Sequence, residues 1–318
     1  MAQTAKKKKI IAMASIVLVA LSLAVLFACT RGGWLEGSPG KIALIHIDGI
    51  IVGGRGYSSV LFDQKGTDTV IRQLREARLD PEVKAVLLRI NSPGGSVPAT
   101  QEVAAEVRRV KEAGKPVVVS MGDMAASGAY WIAAMADKIY ANPGTITGSI
   151  GVYFPYANWE GLYRKLGIRE EKIKSGPHKD ILSPERPMTA EERAIIQGMV
   201  DAMYAQFVAA VAEGRKLSPA RVRELADGRI YTGSQAQELG LVDELGDFYD
   251  AVEGTAALAG LPSRPQLKEY GKVSPWALLL GPWERLSRGL DRFLTPPAGE
   301  ETLMPVPMAI PARWLVPE

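Results

Sequence analysis

Ser127 stands at the bend of Met121-Gly-Asp-Met-Ala-Ala-Ser-Gly-Ala-Tyr-Trp131, where a strand-like run gives way to an Ala-rich helical pattern. A serine so placed can act as a nucleophile. Gly122 and Gly128 flank it, small alanines crowd it, and its hydroxyl would lie near a helix N-terminus, where N–H groups favour a developing anion. The competing reading is a serine that merely caps a buried helix. A second turn of chemical interest is Asn91-Ser-Pro-Gly-Gly-Ser96. Its paired glycines can take positive φ and leave N–H groups unshielded, the makings of an anion pocket, although an ordinary strand-to-helix turn would use the same residues.

A serine that attacks a carbonyl needs a base, and histidine is scarce: the chain has two. His46 sits in an apolar strand pattern and reads as a packed core residue, so a Ser-His-Asp triad could be built only around His178. Cys29 is the single cysteine. It excludes an intramolecular disulfide and a cysteine-based metal site, and with so few histidines no metal or cofactor is expected. The remaining candidate for a base is a lysine held neutral by burial. Bringing a lysine from about 10.4 to near 7 costs roughly 4–5 kcal/mol of solvation, so such a lysine must be desolvated. Lys174 and Lys179 lie in a loop-like segment beside Ser175 and Gly176, and spacing alone does not choose between them.

These residues are carried by alternating strands and helices. Lys41 to Ile47, Val83 to Ile90, Pro116 to Ser120, Lys138 to Ala141 and Thr147 to Tyr153 read as strands. Helical patterns cover Thr67 to Ala77, with Thr67 or Asp68 as cap, and about Thr100 to Ala113. This order predicts an α/β domain with its functional groups at strand ends. Farther on, Trp159 to Leu166 reads as a short helix and Arg169 to Lys174 as a strand. Thr189-Ala-Glu-Glu192 is a capping box opening a long helix to about Gly214, with Ile195, Ile196, Met199, Met203 and Phe207 as its core-facing side. Shorter helices are expected from Ser218, from Gly233 and from Phe248 to Gly260. With no internal repeat, 41–260 forms one domain.

Six motifs in order carry a specific resemblance: Asn91 to Ser96, Met121 to Tyr130, Ala136 to Tyr140, Thr147-Gly-Ser-Ile-Gly-Val152, Ile173-Lys-Ser-Gly-Pro-His-Lys-Asp-Ile181 and Gly228 to Ala236. Together they resemble the signal peptide peptidase A family of membrane-bound Ser-Lys endopeptidases, peptidase family S49. The resemblance implies a crotonase-like, Clp-protease-like spiral of ββα units. It implies Ser127 as nucleophile, Lys179 as general base, Ser149 as the hydroxyl that orients the lysine, and the N–H groups of Gly95 and Gly128 as oxyanion hole. Lys174 is thereby demoted. A chain with one copy of the domain is expected to form a homo-oligomeric ring with base and nucleophile from neighbouring subunits. Pro177 departs from the family pattern and stiffens the segment carrying the base. Asp180 must point away from Ser127, because a carboxylate beside the amine would favour its charged form.

The chain has 318 residues, a net charge of +3, and 47% hydrophobic and 23% charged residues, a globular composition with no basic stripe for nucleic acid. Residues 1–9 form a basic N-terminus with Lys6 to Lys9. The uncharged run that follows, 10–29, is long enough at about 1.5 Å per residue to span a bilayer core of roughly 30 Å. The lysines against the single Arg31 predict a single-pass anchor in the cytoplasmic membrane, N-terminus inside and the catalytic domain outside. A cleaved signal peptide and acylation of Cys29 are competing readings of the same run. Residues 30–40 read as linker. Residues 261–318 read as a basic amphipathic helix, Trp276 to Phe293, suited to a membrane surface or another subunit, followed by an extended tail. The expected function is degradation of cleaved signal peptides and similar apolar peptides. A catalytically silent membrane scaffold and a crotonase-type acyl-CoA enzyme are the alternatives.

Overall fold

Apolar side chains on both faces make Lys41–Asp48 (β1) a strand that can only be buried. Ala43, Ile45 and Ile47 enter one core and Ile42 and Leu44 a second, on the opposite face of the sheet. The computed structural model describes residues 40–58 and 63–271, so the anchor expected at 10–29, the linker expected at 30–40 except its last residue, and the tail from 272 lie outside the described residues. A short antiparallel hairpin, Gly56–Ser58 (β2) with Asp63–Lys65 (β3), follows β1. The chain then continues through Thr67–Leu79 (α1), Val83–Ser92 (β4), Val97–Glu112 (α2), Val117–Ala126 (β5), Gly128–Ala134 (α3), Lys138–Ala141 (β6) and Ile146–Gly148 (β7). After these come Glu160–Leu166 (α4), Ala190–Arg215 (α5), Pro219–Leu225 (α6), Ile230–Thr232 (β8), Gly233–Glu238 (α7), Glu244–Leu245 (β9), Phe248–Leu258 (α8) and Gln266–Glu269 (β10).

The main sheet runs β10-β1-β4-β5-β6-β9 with every pair parallel. Strand β7 pairs parallel with the end of β5 and antiparallel with β8, so the sheet is mixed only where it approaches Ser127. Helices α1, α2, α3 and α5 contribute to the larger core, and α8 covers the other face through Ala251, Val252 and Ala256. The sheet reaches past the domain end expected at Gly260, because β10 adds to β1 in register from Lys41↔Gln266.

Several elements differ from the sequence expectations. Gly66, not Thr67 or Asp68, is the N-cap of α1, and α2 starts at Val97 with a proline in its first turn. Strand β5 continues to Ala126 across a bulge, bridged by Asn91: its Oδ1 accepts the Met124 N–H at 3.2 Å and its Nδ2 donates to Asp123 at 3.3 Å. Strand β7 stops at Gly148 because Ser149 takes φ +50°, outside the β region. Residues 169–174 form no strand. No edge of the chain pairs with them among the described residues, and a lone strand leaves its backbone donors without partners. His46 is only half buried and lies 3.7 Å from a Glu269 carboxylate, so it is not a packed core residue.

The capping box on α5 forms as expected from Thr189 and Glu192. The core face of α5 is shorter than its pattern suggests: Phe207, Val208, Val211 and Ala212 are buried, whereas Ile195 and Met199 are 41% and 43% exposed. By length and composition alone α5 could cross a membrane, yet its C-terminal half packs into the domain, with Phe207 stacked on Trp131 at 4.8 Å.

Candidate active site

Strand β5 ends one residue before Ser127, which takes φ +54° and ψ −125° before the chain enters α3. This is a strained conformation for a residue with a Cβ, and it persists because the surroundings fix it. The Ser127 N–H donates to the Gly148 carbonyl at 2.8 Å, the Ser127 carbonyl accepts the Trp131 N–H at 3.0 Å, and Ala125 and Ala126 are buried behind it. The serine occupies the N-cap position, but its hydroxyl makes no capping hydrogen bond. The capping interpretation therefore fails, and the hydroxyl is left facing a cleft.

The Pro-Gly-Gly turn supplies the opposite wall. Gly94 has φ +95°, and a Cβ there would meet the Gly128 nitrogen at 2.6 Å and the Ser127 Cβ at 2.8 Å, so only glycine allows this approach. Ile51 pairs with the turn by donating to the Gly94 carbonyl and accepting the Ser96 N–H, both at 2.8 Å. In a parallel bridge this turns the intervening Gly95 N–H to the other side. Neither Gly95 nor Gly128 donates its N–H to an acceptor among the described residues. A side chain on Gly128 would lie 3.4 Å from the Gly95 nitrogen and collide with Thr100 Oγ1, so both glycines look into one space. That space is a cleft of about 70 Å³ lined by Gly95, Ser127 and Gly128, with Val97, Trp131, Val152 and Phe207 as apolar walls. Thr100 is fully buried in its wall, and its hydroxyl has no partner. A larger cleft, of about 810 Å³, lies beside α4 among Tyr163, Arg164, Glu170 and Glu185, and Ser127 does not line it. Two N–H groups without an acceptor among the described residues, beside a strained serine, could chemically receive a developing oxyanion.

Ser149 follows β7, whose Gly148 pairs with Ala126, so the two serines leave adjacent strands at the same level. The register is secured by Thr147 Oγ1 donating to the Ala125 carbonyl and Thr145 Oγ1 to the Gly122 carbonyl, each at 2.7 Å. Ser149 donates its own N–H to the Arg229 carbonyl at 2.8 Å.

Lys179 is exposed on a turn closed by its N–H to the Gly176 carbonyl at 3.3 Å, and it does not line the Ser127 cleft of its own chain. Its amine has no ion-pair or hydrogen-bond partner within the described residues, whereas the Lys174 amine is bound to Asp180 at 2.7 Å. Asp180 is also held by Arg186, at 2.8 and 3.1 Å, so that both of its oxygens are engaged. Arg186 reaches on to Glu192, which also accepts the Thr189 N–H at 2.9 Å. Arg186, then Lys174, hold the Asp180 carboxyl well below its ordinary range; Arg186, then the Thr189 N–H, lower Glu192 to about 2. Nothing in the sequence pattern singles out Arg186, Gly94 or Thr100, although the Pro-Gly-Gly pair was a signal for the second.

Because the folded Glu192 resists protonation, its contribution to stability is complete above about 4.5 and is lost as pH falls toward about 2. Across that window the melting temperature is expected to fall more steeply for the wild-type chain than for Glu192→Gln. Parallel curves would show that the carboxylate is not coupled to folding.

The sequence also matches known families and proteins. The family model described as Peptidase family S49 matches residues 109–262, and that of Clp protease matches 58–146. Protease 4 of Salmonella typhi is 43% identical over 70% of this chain, but the match covers only 35% of that longer protein. A Synechocystis sp. protein carrying a protease name is 44% identical over 74% of this chain and 80% of its own length. A protein of Enterococcus faecium named for signal peptide peptidase SppA is 40% identical over 67% of this chain and 62% of its own. The S49 model over 109–262, together with a relative 44% identical over 80% of its own length, shows that this chain belongs to peptidase family S49.

Proposed function

We propose that this chain is a membrane-anchored serine endopeptidase acting on cleaved signal peptides and other apolar peptides outside the cytoplasmic membrane, as a homo-oligomer. Ser127 Oγ attacks the scissile carbonyl and its proton passes to the neutral Lys179 amine of a neighbouring subunit. Ser149 orients that amine, and the Gly95 and Gly128 N–H groups take the oxyanion. The protonated lysine then gives its proton to the leaving amine, and water hydrolyses the acyl-serine by the same route. One observation carries the reading: Ser127 sits uncapped between two free amides, while Lys179, unlike Lys174, keeps its amine unpaired.

The apolar walls of the cleft favour apolar side chains near the scissile bond. Exposed large apolar groups on 153–199, among them Tyr153, Trp159, Leu162, Ile173, Ile195 and Met199, support association with further copies, which would bury them. The run at 10–29 supplies the anchor. A fluorophosphonate should label the full-length chain at Ser127; a silent scaffold of the same fold has no activated hydroxyl and would stay unlabelled.

Gly128→Ala tests the oxyanion hole. The added methyl meets Thr100 Oγ1 and pushes the start of α3 out of line, so kcat is expected to fall about 10²–10³-fold, as for loss of one oxyanion donor. Thr100→Ala in the same chain relieves the collision and should recover part of that loss. Full activity in Gly128→Ala would remove the Gly128 amide from the mechanism.

A further inference from the structure

Arg186 hydrogen-bonds neither Ser127 nor Lys179, yet it joins the segment bearing Lys179 to the first turn of α5. Its fork takes both oxygens of Asp180, Nε to Oδ2 at 3.1 Å and Nη2 to Oδ1 at 2.8 Å. It also takes both oxygens of Glu192, Nη1 to Oε2 at 2.8 Å and Nη2 to Oε1 at 2.5 Å. Glu192 is the fixed end: it is buried and bonded into the cap of α5. Asp180 is the functional end, one residue from Lys179. A planar bidentate fork sets direction as well as charge, which a single ammonium does not.

The charged groups around this point balance. Asp180 faces Arg186 and Lys174, and Glu192 faces Arg186. His178 lies 3.4 Å from Glu191 at the edge of the cluster. Without Arg186, Asp180 would keep only its Oδ1 bond to Lys174 Nζ at 2.7 Å, and its Oδ2 would be released next to Lys179, its neighbour in sequence. A carboxylate there favours the charged ammonium, which cannot accept a proton from serine.

We propose that Arg186 is a positioning residue for the general base: it withdraws the Asp180 carboxylate from Lys179 and ties the Lys179 segment to α5, leaving the amine free to serve Ser127. The proposal rests on the Ser127–Lys179 reading above. It assigns a catalytic consequence to a salt-bridge network that would otherwise count only as surface structure.

The test is the pH profile of kcat and KM for the full-length chain in detergent, with an apolar fluorogenic peptide, alongside a melting curve for each variant. Arg186→Gln is expected to move the acid limb of kcat upward by about one pH unit. On that limb kcat falls about tenfold while KM changes little. Asp180→Asn alone should leave the limb near its wild-type position. Asp180→Asn combined with Arg186→Gln should return the limb to that position although the melting temperature stays low, a rescue that a purely structural role would not give. An unmoved limb in Arg186→Gln, or a double variant that stays shifted, overturns the proposal. If Arg186→Gln does not assemble, Arg186→Lys keeps the charge without the fork and should show a smaller shift, again erased by Asp180→Asn; no shift there overturns it equally. Failure of the dyad itself is seen separately, as wild-type activity in Lys179→Ala.

Discussion

Ser127→Ala and Lys179→Ala are each expected to lower peptide hydrolysis by on the order of 10⁴-fold or more, because a nucleophile and its base act as a unit and the loss of either removes the covalent route. At about 1.36 kcal/mol per decade that is more than roughly 5 kcal/mol of transition-state stabilisation. Lys174→Ala should retain hydrolysis. The Lys174 amine is bound to Asp180 at 2.7 Å, and an ion-paired ammonium has no lone pair to offer. The measurement is the initial rate on an unstructured apolar peptide, with fluorophosphonate labelling as a second readout. Ser127→Ala should lose both label and turnover, and Lys179→Ala should lose turnover while keeping its fold, since the exposed Lys179 side chain makes no hydrogen bond or ion pair among the described residues. Wild-type turnover in Lys179→Ala would sink the mechanism, and wild-type turnover in Lys174→Ala with none in Lys179→Ala would separate the two lysines.

Most of the parallel sheet was legible because its strands are buried on both faces, and unbroken apolar runs such as Ile42 to Ile45 have few other uses. Ends and breaks were not, for reasons particular to each. Strand β5 runs on to Ala126 through a polar stretch because Asn91 on the neighbouring strand supplies bonds that pattern does not show. Strand β7 ends early because Ser149 takes a positive φ that no serine announces in a sequence. The Ser127 bend was readable from its flanking glycines and alanines. Its strain, its empty capping role and the collision with Thr100 that makes Gly128 indispensable exist only in three dimensions. Residues 169–174 found no strand to pair with, their one apolar side chain, Ile173, being fully exposed, and in the exposed half of α5 the apolar residues Ile195 and Met199 look like core but stay exposed.

The same shortage points to the second large effect. Lys179 does not line the cleft of its own chain, so if the base comes from a neighbour, two individually dead chains are expected to restore each other. Ser127→Ala keeps an intact base and Lys179→Ala an intact nucleophile. Where a Lys179→Ala chain contributes its serine next to a Ser127→Ala chain that contributes its lysine, the site is complete. For random mixing in a closed ring, half of the serines and half of the neighbouring lysines are intact, so about a quarter of wild-type activity should return. From a background lowered about 10⁴-fold, that recovery exceeds a thousandfold. The experiment is to dissociate the two purified full-length variants, reassemble them together in detergent and follow turnover as the ratio is varied, with maximal recovery at equal amounts. Each variant reassembled alone should remain inactive. A dyad formed within one chain predicts no recovery at any ratio, because every chain in the mixture then lacks one of its own two groups. Recovery that fails here while Ser127 and Lys179 are both essential would keep the chemistry and move the base into the same chain, requiring the segment from Ser175 to Leu182 to fold over the cleft beside Gly95 and Gly128.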